Sequence, residues 1–182
     1  MIEQTILKTH LLRLRPLKPS DASAIQKAAS ARKIADTMIS LPHPYPTGEA
    51  ERYIARQQAE QKTGRSLTFT IELQAEGCFY GLVELRDIDR EHSQGELSFW
   101  LTMETWGKGY MSEVVQEVVR FGFEDSGLNR LYAYTMTRNP ASGRVLEKNG
   151  FKQEGLLRQR VKKWGLYEDV GLWAILRQEW QK

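Results

Sequence analysis

One cysteine, three histidines and no long apolar run among 182 residues exclude several classes of protein at once. Cys78 has no partner for an internal disulfide. With His10, His43 and His92 scattered along the chain, it does not make a Cys/His metal cluster either, so no metal is expected. No stretch approaches the roughly 18 apolar residues of a membrane span, which argues against a membrane protein. The start, Met1-Ile2-Glu3-Gln4-Thr5, has neither a basic leader nor an apolar core, and the expected location is cytoplasmic. A net charge of +3 is too small to argue for direct nucleic-acid binding. Repeats, low-complexity tracts and long linkers are absent as well. What remains is an ordinary globular mixture, 41% hydrophobic and 27% charged. It is expected to fold as a single domain over residues 1–182 and to bury about two-thirds of its unfolded surface. Cys78 lies in the apolar stretch Cys78-Phe79-Tyr80 and is expected to pack rather than react.

Charge is unevenly placed. Between Arg144 and Lys163 stand seven basic residues against two acidic ones, which leaves the rest of the chain slightly acidic. A local basic surface attracts phosphate, although any one of these side chains taken singly reads better as a solvated surface group.

Hydrophobic spacing divides the chain into elements. Leu11-Leu12-Arg13-Leu14-Arg15 reads as a strand closed by Pro16 and Pro19. Ser20 or Asp21 suits the cap of a helix carrying Ala24, Ile25, Ala28 and Ala29. Three prolines in Leu41-Pro42-His43-Pro44-Tyr45-Pro46 force an extended loop, either facing a substrate or simply connecting helices. Thr47 is the expected cap of the next helix, which ends near Gly64. Residues 67–73 and 79–85 read as strands, with Gln74-Ala75-Glu76-Gly77 as a hairpin turn, and residues 86–94 as a polar connection. Residues 95–101 form a further strand. Met111, Val114, Val115, Val118, Val119 and Gly122 then fall on one face of a helix. Residues 131–137 are a strand. Asn139-Pro140 opens a short helix that Gly150 ends. Strands over 151–157 and 170–176 bring the count to about seven, in a mixed α/β sheet.

The segment suited to chemistry is Trp106-Gly107-Lys108-Gly109-Tyr110, between an apolar strand and an amphipathic helix. Two glycines allow a tight turn and close approach, and the helix start offers free N–H groups to a pyrophosphate. The segment lacks the third glycine of the dinucleotide fingerprint and the Gly-Lys-Ser/Thr ending of a nucleotide triphosphatase loop. Alone, it reads better as a structural turn.

Its context adds a resemblance. Glu104-Thr105-Trp106-Gly107-Lys108-Gly109 is similar to the Q/R-x-x-G-x-G/A loop of the GNAT superfamily of acyl-CoA N-acetyltransferases, with Glu104 departing at the first position. About 30 residues later, Asn139-Pro140-Ala141-Ser142 and Val145-Leu146-Glu147-Lys148-Asn149-Gly150-Phe151 resemble the N-x-x-S-x-x-V-L-E-K-x-G-F signature of the Rim-type branch, which contains the ribosomal-protein N-acetyltransferases. Leu12-Arg13-Leu14-Arg15-Pro16 and Glu179-Trp180 are similar to that branch too. The resemblance implies a GNAT fold: one mixed, mostly antiparallel sheet with helices on both faces, splayed between strands four and five (residues 95–101 and 131–137). It implies acetyl-CoA as co-substrate, its pantetheine arm paired with the backbone of Leu101, Thr102 and Met103. The pyrophosphate would lie on the amides of Trp106, Gly107, Lys108, Gly109, Tyr110 and Met111. Asn139 would contact the cofactor, with Ser142 near the thioester sulfur. The implied acceptor is an amine, favoured as the N-terminal α-amine of a ribosomal-type protein. Small amines and a non-catalytic CoA-binding module are the alternatives, and a homodimer is compatible with the resemblance.

Acetyl transfer needs a neutral amine, donors for the thioester oxygen and a proton for the departing thiolate. An α-amine titrates near ~8 and a lysine near ~10.4, so the former asks less of a base. Glu96 matches a glutamate common in the branch and is the expected base through water, with Glu84 in reserve. A surface carboxylate is the other reading of Glu96. Many GNAT enzymes carry a tyrosine acid seven residues after the asparagine, but here that position is Leu146. Ser142 is the implied replacement, unless it only supports its helix. Trp100 and Trp106 either line the acceptor tunnel or pack. Tyr167 and Asp169 match the branch's ending and are expected near the acceptor.

Overall fold

The computed structural model describes residues 5–180; Met1 to Gln4, on which the expectation about a leader rested, lie outside the described residues. Eight strands form one sheet: β1 (Leu7–Lys8), β2 (Leu12–Pro16), β3 (Leu67–Leu73), β4 (Phe79–Asp89), β5 (Gln94–Leu101), β6 (Arg130–Met136), β7 (Lys152–Lys163) and β8 (Leu166–Leu176). Their order is β1-β2-β3-β4-β5-β6-β8-β7. All neighbours are antiparallel except β5 and β6. The strand beyond the expected seven is β1, whose two residues are too few to show alternation. It shifts the expected strands four and five to β5 and β6.

Among the described residues, five helices cover the two faces: α1 (Ala22–Ala29), α2 (Arg32–Thr37), α3 (Glu49–Lys62), α4 (Tyr110–Glu124) and α5 (Pro140–Lys148). Strand alternation decides what each face holds. Val83 and Leu85 of β4, with Leu97, Phe99 and Leu101 of β5, face α4 and α5 in the larger core. The α4 stripe read from the sequence is buried there throughout, from Met111 to Gly122. Leu82 and Trp100 point the other way, to a second core under α1 and α3. No helix among the described residues is long and apolar enough to cross a membrane.

Three local expectations give way to tertiary contacts. Asp21 caps nothing in α1. It sits in a 3₁₀ turn (Pro19–Asp21), buried, and accepts from the Arg15 guanidinium, the Lys18 N–H and Thr70 Oγ1. The chain enters α3 at Gly48 (φ 77°) with no side-chain cap, and Thr47 is exposed. Cys78 is exposed rather than packed. It follows Gly77 (φ 67°) at the end of the hairpin turn, before pairing with β3 resumes at Phe79.

Candidate active site

The sheet opens between β5 and β6. Their parallel ladder holds three pairs, ending at Glu96–Tyr132. Beyond it, Thr102 N–H donates to Tyr80 O at 2.8 Å across the Gly81–Leu101 pair. Antiparallel alternation then turns the backbone groups of Phe99 and Leu101 away from β4, into the gap. The Leu101 carbonyl already accepts from Trp106 Nε1 at 2.9 Å. A cavity of about 330 Å³ occupies the opening, with the start of α4 on one side and α5 on the other.

The corner that leads into α4 carries two left-handed glycines, Gly107 (φ 75°) and Gly109 (φ 80°). A Cβ at either would meet no atom within 4 Å. The turn therefore leaves open space beside the first turn of α4, whose dipole end is positive; there the Ser112 and Glu113 N–H groups donate to Gly109 O, and those of Tyr110 and Met111 precede the first such bond. Such a corner seats an anion. Arg144 and Lys148 of α5 reach the wall of the same cavity and add positive charge.

Most residues singled out from the sequence converge here. Leu101, Trp106, Gly107, Gly109, Tyr110, Met111, Asn139 and Ser142 line the cavity; Thr102, Met103 and Lys108 do not. Asn139 caps α5, its Oδ1 accepting from the Ser142 N–H at 3.4 Å. Its Nδ2 donates to Ser142 Oγ at 2.9 Å and to Thr37 O at 3.3 Å. The Ser142 hydroxyl proton is thus left to donate elsewhere. Leu146 is fully buried in the larger core. Trp100 packs against Phe79 and also lines the cavity; Trp106 is 42% exposed on its wall. Tyr167 and Asp169 are not brought to the cavity walls. Tyr167 lies exposed beneath Lys162, and Asp169 Oδ1 accepts from the Gln159 N–H at the β7 bulge.

The two carboxylates have different surroundings. Glu96 is buried and lines a small cleft with Ser142, Asn139 and Ser98. Its Oε1 is gripped by both Nε and Nη2 of Arg86, its cross-strand neighbour. Glu84 is buried too, but its Oε1 accepts from hydroxyls: Tyr53 Oη at 2.8 Å and Thr68 Oγ1 at 3.2 Å. Burial raises its pKa above the ordinary value, outweighing those bonds and the nearby Arg86 charge. Burial and Glu84 together hold the Tyr53 phenol well above its usual value.

Glu84 faces a second cavity, of about 280 Å³, enclosed by α1, α3, the proline loop and β4–β5. The loop is thus a wall as well as a connector, through Leu41, Pro42 and Tyr45. The tip of the β7–β8 hairpin holds it in place. Buried Lys163 donates to Met38 O at 2.7 Å and Leu41 O at 2.6 Å, its pKa lowered by burial and by Arg138. The sequence reading missed Met38, Tyr53 and Arg86. Tyr53 shares a buried α3 face with Ala50 and Ile54, a spacing the sequence did contain; Met38 lies in a loop and shows no pattern.

Comparison with known proteins agrees with this geometry. Residues 12–152 match the acetyltransferase (GNAT) domain family. The probable N-acetyltransferase YjcK of Bacillus subtilis is 33% identical over 175 residues, 94% of this chain and 97% of that protein. Among solved structures, RimL, a ribosomal L7/L12 alpha-N-protein acetyltransferase in complex with coenzyme A, superposes with TM-score 0.87 at 20% identity, covering 94% of this chain and 98% of that one. Spermidine N-acetyltransferase from Vibrio cholerae, with CoA and spermine, gives TM-score 0.83 at 24% identity, covering 93% and 97%. At these identities the two structures speak for the fold.

Proposed function

Since the chain belongs to the acetyltransferase (GNAT) domain family and is an N-acetyltransferase, we propose that it moves the acetyl group of acetyl-CoA to the α-amine of a polypeptide N-terminus, of the ribosomal-protein type. The observation that carries this is the gap itself: an anion-seating glycine corner on one lip and the Asn139–Ser142 pair on the other. The residues fit acetyl-CoA. The corner, Arg144 and Lys148 suit its phosphates, and Phe99, Leu101, Met111 and Val145 suit the pantetheine arm. When bound, the co-substrate supplies an activated acyl group on sulfur.

The chain's own groups supply the rest. A backbone N–H turned into the gap from β5 polarises the acyl oxygen. A carboxylate on the β4–β5 face accepts the proton of the amine, where Glu96 and Glu84 both stand. Ser142, its oxygen held by Asn139 Nδ2, donates its proton to the leaving sulfur. An α-amine, titrating near ~8, is partly neutral without help, which suits a site with one weak base.

The test is thiol release from acetyl-CoA with peptides beginning Ser, Ala and Met, beside spermidine and an aminoglycoside. Peptides acetylated at the α-nitrogen are expected. Spermidine turned over with every peptide inert refutes the reading.

A further inference from the structure

The second cavity has a chemistry that transfer alone does not require. At about 280 Å³ it lies at the small end of ligand pockets, roughly 300–1,000 Å³, and holds a group of side-chain size. Ile25, Ala29, Leu41, Leu82 and Trp100 give it one apolar wall, while Ser40, Gln57, Ser98 and the charged side chains line the rest. Three of the four charged side chains that line it are held in ion pairs. Arg86 is spent on Glu96, and Arg56 on Glu49. Glu84 takes part in none of the ion pairs among the described residues; its recorded partners are the hydroxyls of Tyr53 and Thr68. Burial of Glu84 outweighs the nearby Arg86 charge, and a ligand with one positive charge in direct contact with the carboxylate would offset that cost. Met38 and Trp100 line both this cavity and the gap, so the two meet there.

Resting on the N-acetyltransferase reading, we propose that Glu84 receives the ammonium of the acceptor and takes its proton, and that the acceptor is an N-terminal residue whose compact apolar side chain packs on the wall of Ile25, Ala29, Leu41, Leu82 and Trp100. Proton uptake by Glu84 removes a buried charge that no ion pair among the described residues holds. Uptake by Glu96 would strand the guanidinium of Arg86 instead, which makes Glu96 a positioning residue for Arg86. The ammonium gives one proton to the Glu84 carboxylate, and the lone pair left on nitrogen forms the bond to the thioester carbon. The carbon–sulfur bond breaks and its electron pair leaves with sulfur. The acylated nitrogen sheds a second proton, matched by the one the thiolate gains. Glu84 returns its proton to solvent, so each ammonium consumed releases one proton. A polyamine carries further cations, for which the cavity has no further free carboxylate.

Initial rates with the wild-type enzyme on peptides beginning Met, Leu, Ser and Gly, and on spermidine, test the pocket without any substitution. Met and Leu peptides are expected at least tenfold ahead in kcat/KM. Glu84→Gln should lower kcat/KM for the Met peptide about a hundredfold, with the acetyl-CoA-induced rise in melting temperature retained as proof of folding. Glu84→Asp, which keeps the carboxylate, should recover part of the loss. Ala29→Leu, which fills the cavity, should turn the preference toward Ser and Gly. Equal rates for Ser and Met peptides, or Glu84→Gln at the wild-type rate, overturn the assignment and leave N-terminal transfer standing. Spermidine as the sole good substrate overturns both.

Discussion

The glycine corner permits a test that separates folding from binding. Gly109 (φ 80°) and Gly127 (φ 71°) share a left-handed backbone, and a Cβ at either meets no atom within 4 Å. Gly109 precedes α4 at the cavity wall; Gly127 lies in the turn that follows α4, and the cavity does not include it. Alanine at either position costs about 1–2 kcal/mol of backbone strain. For a chain of this size that is a fall of roughly 2–8 °C in melting temperature, the same for both variants. Binding adds the difference. Acetyl-CoA at a hundred times its dissociation constant stabilises by about 2.7 kcal/mol, or roughly 5–11 °C. A methyl group on Gly109 projects into the space where a phosphate would lie; one on Gly127 does not. In thermal unfolding with and without acetyl-CoA, Gly127→Ala should keep the whole ligand shift and Gly109→Ala should lose most of it. Equal shifts in the two variants would show that the corner is only a turn and that the diphosphate lies elsewhere.

Further outcomes follow from single contacts. Ser142→Ala should lower kcat on the order of 10²-fold while leaving the acetyl-CoA thermal shift unchanged, measured by thiol release; unchanged turnover would reduce Ser142 to a helix residue. Lys163→Met strips the donor from the Met38 and Leu41 carbonyls. It should cost about 1–3 kcal/mol in urea unfolding and raise KM for the amine more than for acetyl-CoA. Burial pushes the Asp21 carboxyl up, but hydrogen bonds from Arg15, the Lys18 N–H and Thr70 outweigh it and hold it below its ordinary 3.8. A lowered carboxyl stabilises above that value, and the contribution is lost as pH falls through the folded value. Asp21→Asn should therefore cost about 1.5–3 kcal/mol near neutral pH and flatten the acid limb of the stability curve below pH ~4. A limb as steep as in the wild type would show that other carboxylates carry it.

What could be read from the sequence was local. The α4 stripe, the cap and stop of α5, and the Gln74–Gly77 turn each depend on neighbours a few residues away, and each stands in the structure. Expectations that needed a distant partner went astray. Asp21 looks like a cap until Arg15 and Thr70 are folded against it. Cys78 looks like core because its neighbours are apolar, although the hairpin turn exposes it. Arg86 and Glu96 pair because β4 and β5 meet in one register, with an irregularity between Arg86 and Asp89 that no local pattern announces.

That register also decides which carboxylate is left for a substrate. Arg86 and Glu96 stand opposite each other, as do Glu84 and Ser98, all on the face under α1 and α3. Because the side-chain period is two, a slip of one residue would turn Glu84 into the larger core and open the pair at Glu96. As built, the arginine cancels one acid and leaves the other among hydroxyls, next to a cavity of side-chain size. On the proposed reading, the choice of amine would depend on a pairing between strands, whereas the hold on the diphosphate would depend on two glycines in one turn. The first is open to change by single substitutions on β4 and β5 that leave the second intact. Arg86→Gln should accordingly lower activity on the amine, by freeing a second buried acid, without changing the acetyl-CoA thermal shift. A loss of that shift would show that the two halves of the site are coupled through the sheet.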